Sequence, residues 1–192
     1  MFMHTIETGR PILCPFHEGD TEALFLLLRE KEVNTFLPLF PLTTMEEAKK
    51  YLKERYLEDT DGCHFAICLK PNASPVGYVN AGGGASHDFG YALRKEYWHR
   101  GIMTEACRAV VDRLKLNGIP FITATHDVKN PRSEAVMKRT GMSYQYSYRE
   151  FWQPKGFWVT FRMYQLYLDR DKKRVYRGYW DRYPDHFVEE TI

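Results

Sequence analysis

The sequence has no long apolar run. Its longest, Ala23 to Leu28, is six residues, against the roughly 18 that a membrane-spanning helix needs, so no bilayer span is expected and a membrane is not read as a partner. Net charge is also scarce, with 27 Lys and Arg against 25 Asp and Glu. No global field then draws the chain to nucleic acid or an anionic surface, and any anion site must be local. Four cysteines, Cys14, Cys63, Cys68 and Cys107, are scattered without C-x-x-C spacing, which argues against a disulfide framework and a zinc knuckle and reads them as reduced packing residues. The seven histidines form no metal-ligand pattern, so no metal is expected. Met1 to Arg10 lacks the apolar core and cleavage site of a secretory signal, which makes the cytoplasm the expected location. Neither common nucleotide motif is present. There is no G-x-x-x-x-G-K-[ST], and Gly82-Gly83-Gly84 is not followed by a helix as a dinucleotide site requires.

What is present is a chain of 192 residues, 44% hydrophobic, with 13 tyrosines, 12 phenylalanines and 4 tryptophans. That composition builds a packed core and excludes intrinsic disorder. With no repeat and no Pro/Ser linker, residues 1–168 read as one domain and 169–192 as an amphipathic extension that packs on it or on a partner subunit. A strand is expected at Ile12 to Pro15 and a helix capped by Asp20 running to about Glu30. A second helix opens with a capping box between Thr43 and Glu46 and ends before Asp61-Gly62. Strands follow at His64 to Leu69, Val76 to Asn80 and Phe89 to Leu93 in an antiparallel meander. Met103, Ala106, Cys107, Val110, Val111 and Leu114 recur at helical spacing, and Asn117-Gly118 stops that helix. A strand at Phe121 to Thr125, a helix from Asn130-Pro131 to Gly141, and strands at Ser143 to Trp152 and Trp158 to Leu168 complete a mixed α/β order. After Arg170, aromatic residues at helical period predict a short helix that Pro184 ends near Arg182. Those aromatics could stack on single-stranded nucleic acid, but Asp181, Asp185, Glu189 and Glu190 oppose that use, and packing or dimerisation fits an apolar stripe better.

The segment with chemistry in it is Phe89 to Met103. A strand, a basic loop holding Gly101, and a helix start place free backbone amides and the positive end of a helix dipole together, the arrangement that binds anions. Gly101 lets an anion approach the backbone with no side chain between. His99-Arg100 could add charge.

The opening Glu7-Thr8-Gly9-Arg10-Pro11-Ile12-Leu13-Cys14-Pro15-Phe16, then Gly90-Tyr91-Ala92-Leu93 with Tyr97-Trp98-His99-Arg100-Gly101-Ile102-Met103-Thr104-Glu105-Ala106, then Asn130-Pro131-Arg132-Ser133 with Gly141-Met142, and finally Arg149-Glu150-Phe151 with Trp158 to Leu166, follow one another in order. Together they resemble the GNAT N-acetyltransferase superfamily, in its ribosomal-protein alanine N-acetyltransferase-like (Rim-type) branch, over about Thr5 to Leu168. The resemblance implies a three-layer α/β fold whose central, mostly antiparallel, twisted sheet of about seven strands splays near Leu93 and is flanked by helices. It implies acetyl-CoA as cosubstrate. Backbone groups near Leu93 would hold the pantetheine arm, His99, Arg100, Gly101, Ile102, Met103 and Thr104 the pyrophosphate, and Asn130 and Ser133 the rest of the cofactor. Where the family loop reads Gln/Arg-x-x-Gly-x-Gly/Ala, this chain has Trp98 at the first position and the bulky Met103 at the last.

Acetyl transfer to an amine needs a base for the nitrogen and an acid for the departing thiolate. By resemblance, Glu150 is the candidate base and Ser133 the candidate acid. Glu150 also reads as a cross-strand charge, Ser133 as a residue of the helix's first turn, and Asn130 as its N-cap. His126-Asp127 and His87-Asp88 are further acid/base pairs, read more readily as strand-end or turn features. Tyr144 and Tyr146 are alternative acids, read as packing residues. The expected function is acetyl-CoA-dependent N-acetylation of a primary amine, on a peptide N-terminus or a small molecule, by direct attack in a ternary complex. The alternative is a non-catalytic acyl-CoA-binding or regulatory module.

Overall fold

A computed structural model describes residues 4–192; Met1 to Met3, part of the N-terminal stretch read above, lie outside the described residues. Strands β1 (Ile6–Glu7), β2 (Pro11–Pro15), β3 (Cys63–Leu69), β4 (Asn72–Ala81) and β5 (Phe89–Leu93) form an antiparallel sheet in chain order. Strands β6 (Phe121–Asp127), β7 (Ser143–Trp152), β8 (Phe157–Tyr167) and β9 (His186–Phe187) form a second one, ordered β6-β8-β7-β9. The two halves meet through one parallel bridge, Asp88 to Thr123, where the Thr123 hydroxyl also donates to the Ser86 carbonyl at 2.9 Å. Past that vertex no ladder joins β5 to β6 among the described residues, and β5 presents an open edge as far as Leu93.

Alternation of side chains across the strands then sorts the core into layers. On one face, Phe89, Leu93, Ile122, Ala124 and Tyr164 pack against helices α4 (Ile102–Leu116) and α5 (Pro131–Thr140), with Ala106, Cys107 and Val110 fully buried. On the other face of the first sheet, Ala66, Tyr78 and Ala92 pack on α1 (Thr21–Leu28), α2 (Lys31–Asn34) and α3 (Met45–Leu52) through Leu24, Leu28, Val33 and Leu52. That same face of the second sheet, Tyr146, Tyr148, Trp152, Val159, Phe161 and Met163, is covered by Tyr179, Trp180 and Tyr183 from α6 (Gly178–Arg182) and the residue after it. Helices thus flank a mostly antiparallel sheet on both sides.

Local chemistry departs from the sequence reading at two caps. Asp20 is spent on the preceding turn, its Oδ2 accepting from the His17 amide at 2.9 Å, so α1 starts after a 3₁₀ turn without a side-chain cap. The capping box at α3 sits one residue later than expected. Thr44 Oγ1 accepts from the Glu47 amide at 3.1 Å and Glu47 reaches back to Thr43 and Thr44, because Thr44 is the residue in extended conformation with helix following at once. Elsewhere the punctuation holds. Asn130 Oδ1 accepts from the Ser133 amide at 3.3 Å, Pro131 opens α5, and Gly141 closes it at φ 95°. The strand around His126-Asp127 continues through both residues, with the His126 Nδ1–H donating to the Asp127 carbonyl at 2.8 Å.

Candidate active site

The open edge of β5 is the centre of the site. The Arg94 amide donates to the Val76 carbonyl at 2.8 Å, which fixes the antiparallel alternation: Gly90 and Ala92 bond to β4, and the amides of Tyr91 and Leu93 face the gap. The Leu93 carbonyl is taken by the Trp98 indole N–H at 2.7 Å, which folds the following loop back against the strand.

That loop ends in a turn whose backbone could cradle an anion. His99 and Gly101 both adopt left-handed backbone, at φ 59° and 73°, conformations that turn successive amides inward and that Gly tolerates without strain. The free amides of Ile102, Met103 and Thr104 follow at the start of α4. The side chains of Ile102 and Met103 are in the main core, 4% and 8% exposed. Met103 therefore presents only its backbone to the cradle, and its bulk, the departure seen in the sequence, points away from an anion. The cradle opens into a cavity of about 700 Å³ that Arg10, His99, Thr104, Arg108 and Arg139 line. Arg100 stands beside it, with its guanidinium over the Tyr97 ring at 5.8 Å and its carbonyl accepting from Arg10.

Glu105, in the first turn of α4, staples the N-terminal segment to this loop. It accepts from the Thr8 hydroxyl at 2.8 Å, the Arg10 amide at 2.9 Å and Arg10 Nε at 2.8 Å. Burial pushes its carboxyl up, but these donors outweigh it and hold the group below the usual range. Arg10, Arg108, Arg139 and Glu105 escaped the sequence reading. Only Arg108, four residues after Thr104 on one helix face, carried a signal.

Across the gap from β5, Ser133 Oγ lies 3.0 Å from the Tyr91 hydroxyl, which also donates to the Ser133 carbonyl at 2.9 Å. The pair bridges the open edge to the start of α5. Burial drives the Tyr91 hydroxyl far above its ordinary range, so it stays protonated. Asn130 serves as the N-cap beside them.

The opposite face of the gap is different in character. Asp88 at the vertex, Gly90 and Ala92 alternate onto it, and a Cβ built on Gly90 would meet nothing within 4 Å. Asp88 is open to this space yet has protein on its other sides. Loss of surrounding water pushes its carboxyl up to about 6, against the pull of the Arg55 guanidinium and the Tyr179 hydroxyl. Glu150 alternates onto the same face from β7 beside Tyr183, but β8 and β6 separate it from the gap. His126 is on the other face, 3% exposed, with burial lowering its affinity for a proton. Tyr144 and Tyr146 are held elsewhere: Tyr144 OH lies 3.0 Å from Ser147 Oγ, and Tyr146 donates to the Tyr176 carbonyl at 2.8 Å. Of the two histidine–aspartate pairs, only His87-Asp88 stands at the vertex, where the parallel bridge sets residue 88 beside Thr123.

This fold and this slot are those of a known family. The GNAT acetyltransferase domain matches residues 10–143, and the chain belongs to that family; it is an acetyltransferase. No curated protein matches the sequence. Among solved structures, an acetyltransferase (GNAT family) from Bacillus anthracis superposes with a TM-score of 0.76 at 19% identity, covering 86% of this chain and 99% of that one. RimL, the ribosomal L7/L12 alpha-N-protein acetyltransferase in complex with coenzyme A, gives 0.74 at 21% identity, covering 88% and 100%. Spermidine N-acetyltransferase from Vibrio cholerae, in complex with CoA and spermine, gives 0.72 at 13% identity, covering 84% and 97%. Among the described residues no helix is long and apolar enough to cross a membrane.

Proposed function

We propose that this chain transfers the acetyl group of acetyl-CoA to a primary amine, with cofactor and amine approaching the same strand gap from opposite faces. The carrying observation is that asymmetry: a basic, amide-lined cradle on the α4 face and a carboxylate at the vertex on the other. The residues fit the cofactor. Backbone amides of the α4 start and Arg10, Arg108 and Arg139 suit its phosphates, and the open amides of Tyr91 and Leu93 suit a pantetheine arm added as an extra strand.

Bound acetyl-CoA supplies a thioester: a carbon–nitrogen bond forms to the amine, the carbon–sulfur bond breaks, and sulfur leaves as a thiolate that needs one proton. Asp88, ionised above about pH 6, takes a proton from the incoming ammonium and leaves a neutral nucleophile. Ser133, whose Oγ lies 3.0 Å from the Tyr91 hydroxyl, sits at the opposite lip of the gap and hands a proton to sulfur, and the proton that the nitrogen sheds as the carbon–nitrogen bond forms restores the serine hydroxyl. Cys63, Cys68 and Cys107 are buried, and Cys14 lies on β2, three strands from β5, with its Sγ 3.6 Å from that of Cys68, which favours direct attack over an acyl-enzyme.

Gly90→Leu tests the two-sided arrangement and the rival reading of a non-catalytic CoA-binding module together. The added side chain enters open space, so acetyl-CoA affinity should hold while CoA release with an amine panel falls at least tenfold. Equal loss of both would place cofactor and amine on one face. A wild-type protein that binds acetyl-CoA and acetylates no amine would establish the module.

A further inference from the structure

Beyond the vertex, side chains from both lips meet across the slot between β5 and β6. Midway, the Tyr91 hydroxyl donates to the Ser133 carbonyl at 2.9 Å. At the open end, the Arg132 guanidinium lies 4.7 Å over the Trp98 ring. Each partner in that second contact is fixed by its own element. Trp98 directly precedes the left-handed His99, is half-buried, and donates its indole N–H to the Leu93 carbonyl at 2.7 Å, so the ring belongs to the β5 lip. Arg132 follows Pro131 in the first turn of α5 and is exposed, so the guanidinium belongs to the other lip. Its charge is uncompensated. The acidic residues nearest in sequence are already engaged, Glu134 with Lys138 at 2.9 Å and the Tyr164 hydroxyl at 2.7 Å, and Asp127 with the Lys129 amide at 2.8 Å. Among the described residues Arg132 forms no ion pair, and the Trp98 ring is the partner it has. A cation in the first turn also opposes the helix dipole, an arrangement that a bound anion relieves.

We propose that Arg132, steadied on Trp98, binds the pyrophosphate of the cofactor from the α5 side, so that the phosphates are held between the α4 start on one lip and a guanidinium on the other. The inference rests on the acetyl-CoA reading above. An arginine stacked on an indole is held by its face and keeps the N–H groups of its planar edge free, and those are the donors that match phosphate oxygens in pairs. Position decides which phosphate. Arg139, about 10 Å further along α5, lines the wide cavity together with Arg10 and Arg108. Arg132 stands instead over the ring that joins the end of β5 to the cradle, where the pantetheine arm meets the pyrophosphate. The cavity arginines are left for the ribose phosphate.

The test is isothermal titration with CoA, with dephospho-CoA, which lacks the ribose phosphate, and, by displacement of bound CoA, with pantetheine, which lacks every phosphate. Arg132→Ala should weaken CoA and dephospho-CoA alike by at least tenfold and leave pantetheine within twofold. Arg132→Lys keeps the charge without the planar fork and should recover part of the loss. Arg132 is exposed, so both variants should fold, and an unchanged melting temperature without ligand checks that they do. A loss confined to CoA would move the arginine to the ribose phosphate. An equal loss for pantetheine would make its contact with Trp98 a support of the slot and nothing more, and an unchanged CoA affinity would remove Arg132 from the site. Each of these overturns the proposal. Failure of wild type to bind CoA would instead overturn the reading beneath it.

Discussion

A carboxylate earns a role as a base by where it stands and how readily it changes charge. Asp88, the proposed base, is exposed at the vertex of the strand gap, and the protein around it keeps water off enough to lift its carboxyl to about 6 while Arg55 and Tyr179 restrain the rise. Removing charge without changing shape, Asp88→Asn should lower kcat by roughly 10² to 10⁴, the range of general base catalysis, and leave acetyl-CoA affinity intact. The sign of the pH effect follows from the direction of the shift. The working form is the ionised one, so wild-type kcat/KM should fall as pH drops through about 6, and the variant should lose that limb. A wild-type rate in Asp88→Asn would return the role to another group. Glu150 illustrates what sequence withholds at this scale. Its position in the motif order marks it, but only strand order shows that β6 and β8 intervene.

The loop from Arg94 to Gly101 and the α4 start were legible because their signals are local. A glycine, a basic stretch and a helical apolar stripe need no tertiary information, and Met103 reads correctly once its place on that stripe is counted. Glu105 and Arg10 were not legible, since 95 residues separate the partners and nothing local announces the contact. The capping box slipped one residue because two threonines precede the glutamates and either pairing satisfies the spacing. Gly101 supplies the sharpest test of the loop as an element. At φ 73° a side chain costs about 1 to 2 kcal/mol, and a Cβ would lie 3.4 Å from the Arg10 guanidinium. Gly101→Glu adds a negative charge to that strain, so acetyl-CoA affinity should fall more than tenfold with circular dichroism unchanged. Wild-type affinity would remove the loop from the cofactor site.

Across the whole molecule, the sequence conveyed the α/β order and the meander through short-range periodicity, and the splay near Leu93 only through the family resemblance. The partition into two faces was hidden, because it depends on the register between β5 and β6, set by a single parallel bridge between residues 35 positions apart. The aromatic tail was legible as an apolar stripe, and its place over the second sheet follows from the surface that the tyrosines and Trp152 leave uncovered. The measurement that bears most directly on the two-faced slot is thermal unfolding with and without acetyl-CoA, for wild type and Gly101→Glu. A ligand at about 100 times its Kd stabilises the folded state by roughly 2.7 kcal/mol, which is on the order of 5 to 10 °C in Tm for a domain of this size. Wild type should rise by several degrees and the variant should not. An unmoved midpoint for wild type at millimolar acetyl-CoA would contradict the cofactor site and everything built on it.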